Sequence, residues 1–527
     1  MIIIGIKLPP SVTGDYLIAR EKLDSFLRQD LTLAPGVRYL FSAHVKLLSE
    51  FNKEGHLIQL SLGYQTDKNY RAVMCSLPNV KISDLWVKCS GDFLLPEGSF
   101  NHKVMIRVAD NQNVKFLVDK TSLSPLLEDA DWEVKANERI RANRQGTLQL
   151  SIVSPVPYDH DKVRLQIKQL KHKFPFGSAI DTRRLFDDWK PENIPYRNYF
   201  YDMFNWAVFK NDVKWRFMEP TEGDVIYENI DRSLSILDEK GFAHWDVNNE
   251  DLHGRYYEEH TGNPQFLQSM LMEMHNGDPE AMLFTNDYEV TERSDFISAY
   301  KRQVMNLISD GAPIHGIGVQ AHYFDYPDVH LLQHHLDELS TVGLPIWISE
   351  LHYDNEDVEK RADGYEDFLR MAFSHPGVEG IIQWDFWDGS MQYPKASLVD
   401  GLDFKENAAG KRFRKLIKEE WHSSLDVTPA DGEQDIETKL FYGDYEVSLF
   451  YDGEELWKKT MQFSPTTEVH KLHIVVGAPF DQMSAVKKGI KETKNKDKLM
   501  AAIRGSNLLD LLRKRVNIAK KQGTRGF

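Results

Sequence analysis

The chain has 527 residues, 41% hydrophobic and 27% charged, with 22 Pro and 32 Gly scattered rather than repeated. It is therefore neither collagen-like nor wholly disordered, and it exceeds the roughly 250–300 residues at which a single core stops growing. The formal net charge of −16 excludes a protein built as a whole to bind nucleic acid, because phosphate neutralisation needs a basic surface, and no apolar stretch reaches membrane-spanning length.

Residues 1–125 are expected to form an all-β sandwich. Short runs alternate apolar and polar positions, as in Tyr39-Leu-Phe-Ser-Ala-His-Val-Lys-Leu47, Leu57-Ile-Gln-Leu-Ser-Leu62, Asp84-Leu-Trp-Val-Lys-Cys89 and Val114-Lys-Phe-Leu-Val-Asp119. Period-two runs separated by turn residues read as sandwich strands. The two cysteines, Cys75 and Cys89, either pair across neighbouring strands or remain buried thiols, and they leave the compartment open. The stretch resembles carbohydrate-binding modules of the family 4, 9 and 22 type in Arg20, in Gln29-Asp-Leu-Thr32, in Trp86 and in the closing Phe116-Leu-Val-Asp-Lys-Thr-Ser-Leu123. Relative to that type the first strand is missing, which reads as a clipped start. A sandwich that only spaces or stabilises is the alternative.

Residues 126–172 read as a connecting segment, helical over 132–144 and then β-rich through Thr147-Leu-Gln-Leu-Ser-Ile-Val153. Over 173–424, strand-like runs alternate with helical stretches at 227–240, 264–276, 294–310, 329–342 and 358–374. This rhythm predicts an α/β fold, a parallel barrel of the TIM (β/α)8 type. The strand candidates are 174–180, 203–208, 243–248, 281–286, 316–321, 345–349 and 380–384, one short of a closed eight. Residues 425–475 read as a small C-terminal β unit, and 476–527 as a basic, solvated tail with an amphipathic portion at 508–516.

In such barrels functional groups gather at the C-terminal ends of the strands. Glu250 closes Trp245-Asp-Val-Asn-Asn-Glu250, and Glu350 closes Ile346-Trp-Ile-Ser-Glu350. Either alone reads as a solvated strand end. Together they supply what glycosidic cleavage needs, an acid for the leaving oxygen and a carboxylate across the sugar, both held on rigid elements. Between them, Gln320 and His322 end the otherwise apolar Gly316-Ile-Gly-Val-Gln-Ala-His322. A lone histidine there reads as a core residue; beside Gln320 it reads as a hydrogen-bond partner that keeps Glu350 ionised.

Residues 174–421 are similar to the catalytic domain of glycoside hydrolase family 10, the retaining β-1,4-xylanases, in their plant and animal branch. The matching segments are Phe174-Pro-Phe-Gly-Ser-Ala-Ile180, Phe204-Asn-Trp-Ala-Val-Phe-Lys-Asn-Asp-Val-Lys-Trp215, the run to Glu250, Leu283-Phe-Thr-Asn-Asp-Tyr288, the run to His322, Leu344-Pro-Ile-Trp-Ile-Ser-Glu-Leu351 and Gly380-Ile-Ile-Gln-Trp-Asp-Phe-Trp387. The resemblance implies Glu250 as acid/base and Glu350 as nucleophile in a double displacement. It implies Asn249 on the sugar 2-hydroxyl, Gln320 and His322 supporting the nucleophile, Asn211, Lys214 and Tyr288 binding substrate, and Trp384 with Trp387 as the floor. It further implies a xylan-type polysaccharide partner, no metal or organic cofactor, no nucleic-acid or membrane partner, and a monomeric, extracellular protein.

Three departures accompany the resemblance. The family has a His- and Trp-bearing strand between the Lys-Trp motif and the acid/base, whereas here the span between Trp215 and Trp245 holds a single histidine, His244. The third β/α unit is thus expected to be missing, through a splice or gene-model variant or through an incomplete barrel. His352 stands where the family carries an acidic residue, and Lys210 replaces the acidic neighbour of Asn211. Three readings remain: a xylanase, a catalytically impaired polysaccharide-binding protein derived from one, and a related β-glucanase.

Overall fold

The computed structural model describes residues 16–18, 27–52, 55–111, 113–154, 156–187, 189–237, 243–429, 435–466 and 468–492. The chain divides into two compact units, one of Met1–Glu138 with Pro175–Phe413 and the other of Arg139–Phe174 with Arg414–Phe527.

The first unit opens with strands β1 (Tyr16–Ile18), β2 (Leu27–Leu31), β3 (Arg38–Leu47), β4 (His56–Gln65), β5 (Asn69–Val80), β6 (Val87–Leu94), β7 (Phe100–Val108) and β8 (Phe116–Pro125). They form two antiparallel sheets, β1-β8-β3-β6 and β2-β7-β4-β5. Alternation puts Phe41, Ala43, Val45 and Leu47 of β3 in the core with Ile58, Leu60 and Leu62 of β4 and Val104, Ile106 and Val108 of β7. Cys75 and Cys89 are joined in a disulfide with Cα atoms 6.1 Å apart, tying β5 of one sheet to β6 of the other. The sheets come so close there that a Cβ on Gly91 would lie 1.5 Å from Met74 O. Arg20, part of the binding-module resemblance, lies outside the described residues.

After helix α1 (Trp132–Arg144), strands β9 (Gln145–Val153) and β10 (Val163–His172) belong largely to the second unit. The barrel strands are β11 (Phe176–Ile180), β12 (Trp206–Phe209), β13 (His244–Asn249), β14 (Met282–Asp287), β15 (Gly316–Tyr323), β16 (Ile346–Tyr353) and β17 (Val378–Gln383). Between them run α2 (Asn193–Met203), α3 (Trp215–Met218), α4 (Glu228–Ile236), α5 (Tyr256–Thr261), α6 (Phe266–Gly277), α7 (Ile297–Ser309), α8 (Val329–Ser340) and α9 (Val358–Ser374). All seven expected strands are present, shifted by a few residues at their ends, in one parallel sheet ordered β12-β11-β17-β16-β15-β14-β13. Its first and last strands, β11 and β17, pair with each other, and among the described residues β12 and β13 are the two edges. This is a TIM-barrel-like sheet open where the third unit is missing.

The interior explains how the open sheet still holds a core. Across the gap the rings of Trp206 and His244 are 5.2 Å apart, and both contact Trp347, at 5.1 and 4.4 Å. Phe284 stacks on His244 at 4.7 Å. Aromatic rings thus bridge a space that backbone pairing leaves open. The edge costs burial all the same, since β13 is only half-buried and its Asp246 exposed, whereas β15 and β16 are almost wholly buried.

In the second unit β10 joins β20 (Ser424–Val427), β22 (Gly443–Tyr451) and β23 (Glu454–Phe463), once the short ladder β18 (Val399–Asp400) and β19 (Lys405–Glu406) of the first unit has been passed. Strand β9 lies between β21 (Asp435–Phe441) and β24 (His470–Val475). Leu148, Leu150 and Ile152 of β9 and Leu165 and Ile167 of β10 share a core with Val447, Leu449 and Phe463. The strands of the expected connecting segment and those of the expected C-terminal unit are therefore built into one structure, because the apolar faces of β9 and β10 need partners that only the later strands supply. The amphipathic portion at 508–516 lies outside the described residues.

Candidate active site

Glu250 follows β13 directly, in the left-handed region at φ 64°, a conformation uncommon for a residue with a side chain. Its N–H donates to Asn286 O at 2.8 Å, and its own carbonyl accepts from His253 and Gly254 N–H, so the turn is fixed from both sides. Asn249 Nδ2 and Gln320 Nε2 both donate to Glu250 Oε1, each at 3.0 Å.

Glu350 lies within β16, level with Gln320 of β15, and is 9% exposed. His322 Nε2 is 3.3 Å from its Oε2, and Asn286 Nδ2 is 3.4 Å from its Oε1. Asn286 also donates to Asn249 Oδ1 at 2.8 Å and accepts from Ser349 Oγ at 2.5 Å. Hydrogen bonds therefore connect the two glutamates continuously through Asn249 and Asn286.

Asp287, 1% exposed, fastens the loop after Glu250: its oxygens accept from Leu252 N–H at 2.7 Å and meet His253 Nδ1 at 2.5 Å. The His253 ring stacks on Tyr288 with centroids 3.9 Å apart. Loss of hydration and then the negative charge of Glu250 push the Tyr288 hydroxyl above its ordinary value. Asp246 is reached by solvent yet surrounded by enough protein that burial, and then the charge of Glu350, push its carboxyl up to about 7.

The remaining expected residues are less closely joined. Asn211 is half-buried and Lys214 exposed in the turn after β12, where Lys214 N–H donates to Asn211 O at 2.9 Å. Neither side chain hydrogen-bonds either glutamate among the described residues. Trp384 is half-buried after β17. Trp387 is instead covered by Phe404, whose ring stacks on it at 4.8 Å, and by Arg184 at 4.6 Å. Its indole N–H donates to Gly401 O at 2.7 Å. Lys210 pairs with the fully buried Asp385 at 3.0 Å, and burial, then His322, hold His352 down at about 3.

Sequence reading singles out Tyr288 from Leu283-Phe-Thr-Asn-Asp-Tyr288 and passes over Asn286 and Asp287. The signal was present: two polar residues close an apolar strand at the level where Glu250 and Gln320 close theirs. His253 stands in a loop and carried no such signal.

Residues 239–419, which carry the strands that hold both glutamates, match the model of glycosyl hydrolase family 10. Anti-sigma-I factor RsgI6 of Acetivibrio thermocellus is 29% identical over 398 residues, 66% of this chain and 51% of that protein. Endo-1,4-beta-xylanase 1 of Arabidopsis thaliana is 32% identical over 308 residues, covering 49% and 32%, and endo-1,4-beta-xylanase 3 of the same plant is 28% identical over 505 residues, covering 83% and 64%. The chain thus spans about a third to two thirds of the length of these relatives. Among solved structures, xylanase 10B from Thermotoga petrophila in complex with xylobiose aligns over 47% of this chain and 95% of its own, at 18% identity and a TM-score of 0.41.

Proposed function

We propose that the chain is a retaining endo-β-1,4-xylanase that hydrolyses xylan by double displacement, with Glu350 as nucleophile and Glu250 as acid/base. The wiring of the two glutamates through Asn249, Asn286, Gln320 and His322 carries this reading. Two amide donors converge on Glu250 Oε1, so Oε2 is the oxygen left to carry the proton to the leaving group. His322 Nε2 and Asn286 Nδ2 face the Glu350 carboxylate, whose negative charge attack on the anomeric carbon requires. Once the glycosyl-enzyme forms and that charge is consumed, Glu250 takes a proton from water as base. Asn249 then serves the sugar 2-hydroxyl, Asn211, Lys214 and Tyr288 hydrogen-bond the chain, and the half-buried Trp384 offers a stacking face. Trp387 backs the floor through its packing.

The disulfide supports an oxidising, extracellular setting. No helix among the described residues is long and apolar enough to cross a membrane. We read the N-terminal sandwich as a carbohydrate-binding module, testable by retention on insoluble xylan, and the protein as a monomer without nucleic-acid partners.

The test is reducing-sugar release from soluble arabinoxylan and from mixed-linkage β-glucan by the full chain, with Glu250→Gln as the blank. Release from arabinoxylan above the blank is expected, and Glu350→Ala should abolish it while leaving polymer binding intact. Release from β-glucan alone would assign a β-glucanase. No release from a folded chain would favour a polysaccharide-binding protein derived from such a hydrolase, a reading supported by the open edge between β12 and β13.

A further inference from the structure

Sandwich and barrel meet in the first unit along a buried polar seam. Among the described residues the outer edge of β6 has no neighbouring strand, and side chains of the barrel take its place. Ser298 Oγ accepts from Ser90 N–H at 2.9 Å and lies 3.1 Å from Ser90 O. Ser294 Oγ accepts from Asp92 N–H at 2.6 Å and donates to Asp92 O at 3.2 Å. Backbone groups that would otherwise be buried unpaired are thus satisfied. Ala299 of α7 sits in the sandwich core itself.

Asp92 is 7% exposed. One of its oxygens takes the Arg38 guanidinium, and the other faces His335 Nε2 on α8 at 3.6 Å. Burial pushes the carboxyl up, but His335, Arg38 and the Ser294 hydroxyl outweigh it and hold Asp92 at about 2.

From His335 the contacts run inward to the glutamates. His335 Nδ1–H donates to Thr291 O at 2.8 Å. Thr291 and Glu292 then grip the end of β15: Thr291 Oγ1 is 3.3 Å from Gln320 O, and Glu292 accepts the His322 N–H. Gln320 and His322 are the residues that present their side chains to Glu250 and Glu350. The loop between β14 and α7 is therefore fastened to the sandwich on one side and to the strand serving both glutamates on the other.

We propose that Asp92 and His335 are positioning residues for the candidate active site, holding Gln320 and His322 in place through Thr291 and Glu292. The N-terminal sandwich is then a working part of the catalytic unit rather than a separable attachment. This rests on the xylanase reading for its kinetic consequence, while the geometry at His322 can be measured without turnover.

The test uses the full chain with Asp92→Asn, which keeps size and removes charge, and Ser294→Ala, a milder change that removes the hydroxyl clasp. Lys88→Gln, which breaks the Lys88–Glu338 bridge of 2.7 Å on the same seam, is the control. Two quantities are read: the ring 15N resonances of His322, assigned by their loss in His322→Gln, and kcat and KM on soluble arabinoxylan. Asp92→Asn and Ser294→Ala are expected to move the His322 resonances and to lower kcat about 2–30-fold with KM nearly unchanged, and Lys88→Gln to do neither. Unmoved resonances and unchanged kcat in a folded Asp92→Asn protein would overturn the proposal, as would equal changes in Lys88→Gln. If Asp92→Asn does not fold, Ser294→Ala decides by the same two outcomes. If the wild-type chain turns over no polysaccharide, the xylanase reading fails and the His322 resonances alone decide the positioning role.

Discussion

The Asn286 side chain lies between the two halves of the candidate pair, donating toward Glu350 and toward Asn249, which in turn donates to Glu250. Hydrogen bonds to charged groups are worth roughly 1.5–3 kcal/mol, so Asn286→Ala should lower kcat by roughly 10–100-fold with less effect on KM, read from initial rates. Asp251 offers a prediction in pH. Burial, then Glu258, push its carboxyl from 3.8 up to about 7, so the folded chain holds that proton more tightly than the unfolded one. The resulting stabilisation is present below about pH 4 and is lost as pH rises through about 7. Asp251→Asn should therefore melt above the wild type at pH 8 and lose that advantage at pH 4, as thermal melts at the two pH values would report. Asp92 has the opposite sign: held at about 2, it stabilises above about pH 3.8 and ceases to as pH falls toward 2.

At the scale of elements, the barrel strands were legible because each is a compact apolar run closed by polar residues, and the gap was legible because only seven such runs stand where a closed barrel needs eight and the span from Trp215 to Trp245 holds a single histidine, His244. The closure of that gap by the Trp206, His244, Phe284 and Trp347 rings was not legible, since it depends on which faces of four strands meet. Nor was the disulfide: sequence left both states of Cys75 and Cys89 open, and the pairing depends on β5 and β6 lying in different sheets yet in close approach. Removing it, as Cys75→Ser with Cys89→Ser, should lower unfolding free energy by about 3 kcal/mol, measurable from denaturant midpoints.

At the scale of the molecule, the chain order suggests a module, a connecting segment, a barrel, a small β unit and a tail in succession, whereas the structure divides the chain into two compact units. The sandwich shares its seam and part of its core with α7, so a chain lacking 1–125 should expose Ala299 and leave Ser294 and Ser298 without partners. Such a truncation is expected to melt below the full chain, by calorimetry of both. The apolar alternation of β9 and β10 was visible; their partners, far along the sequence, were not.

That distance has a consequence during synthesis. Arg164 of β10 meets Asp426 of β20 across 262 residues, and ribosomes add about 5–20 residues per second. The apolar faces of β9 and β10 thus leave the ribosome roughly 13–50 s before their partners exist, with the whole barrel emerging in between. During that interval two half-finished sheets wait with their edges open, and unpaired edges are what misassembly acts on.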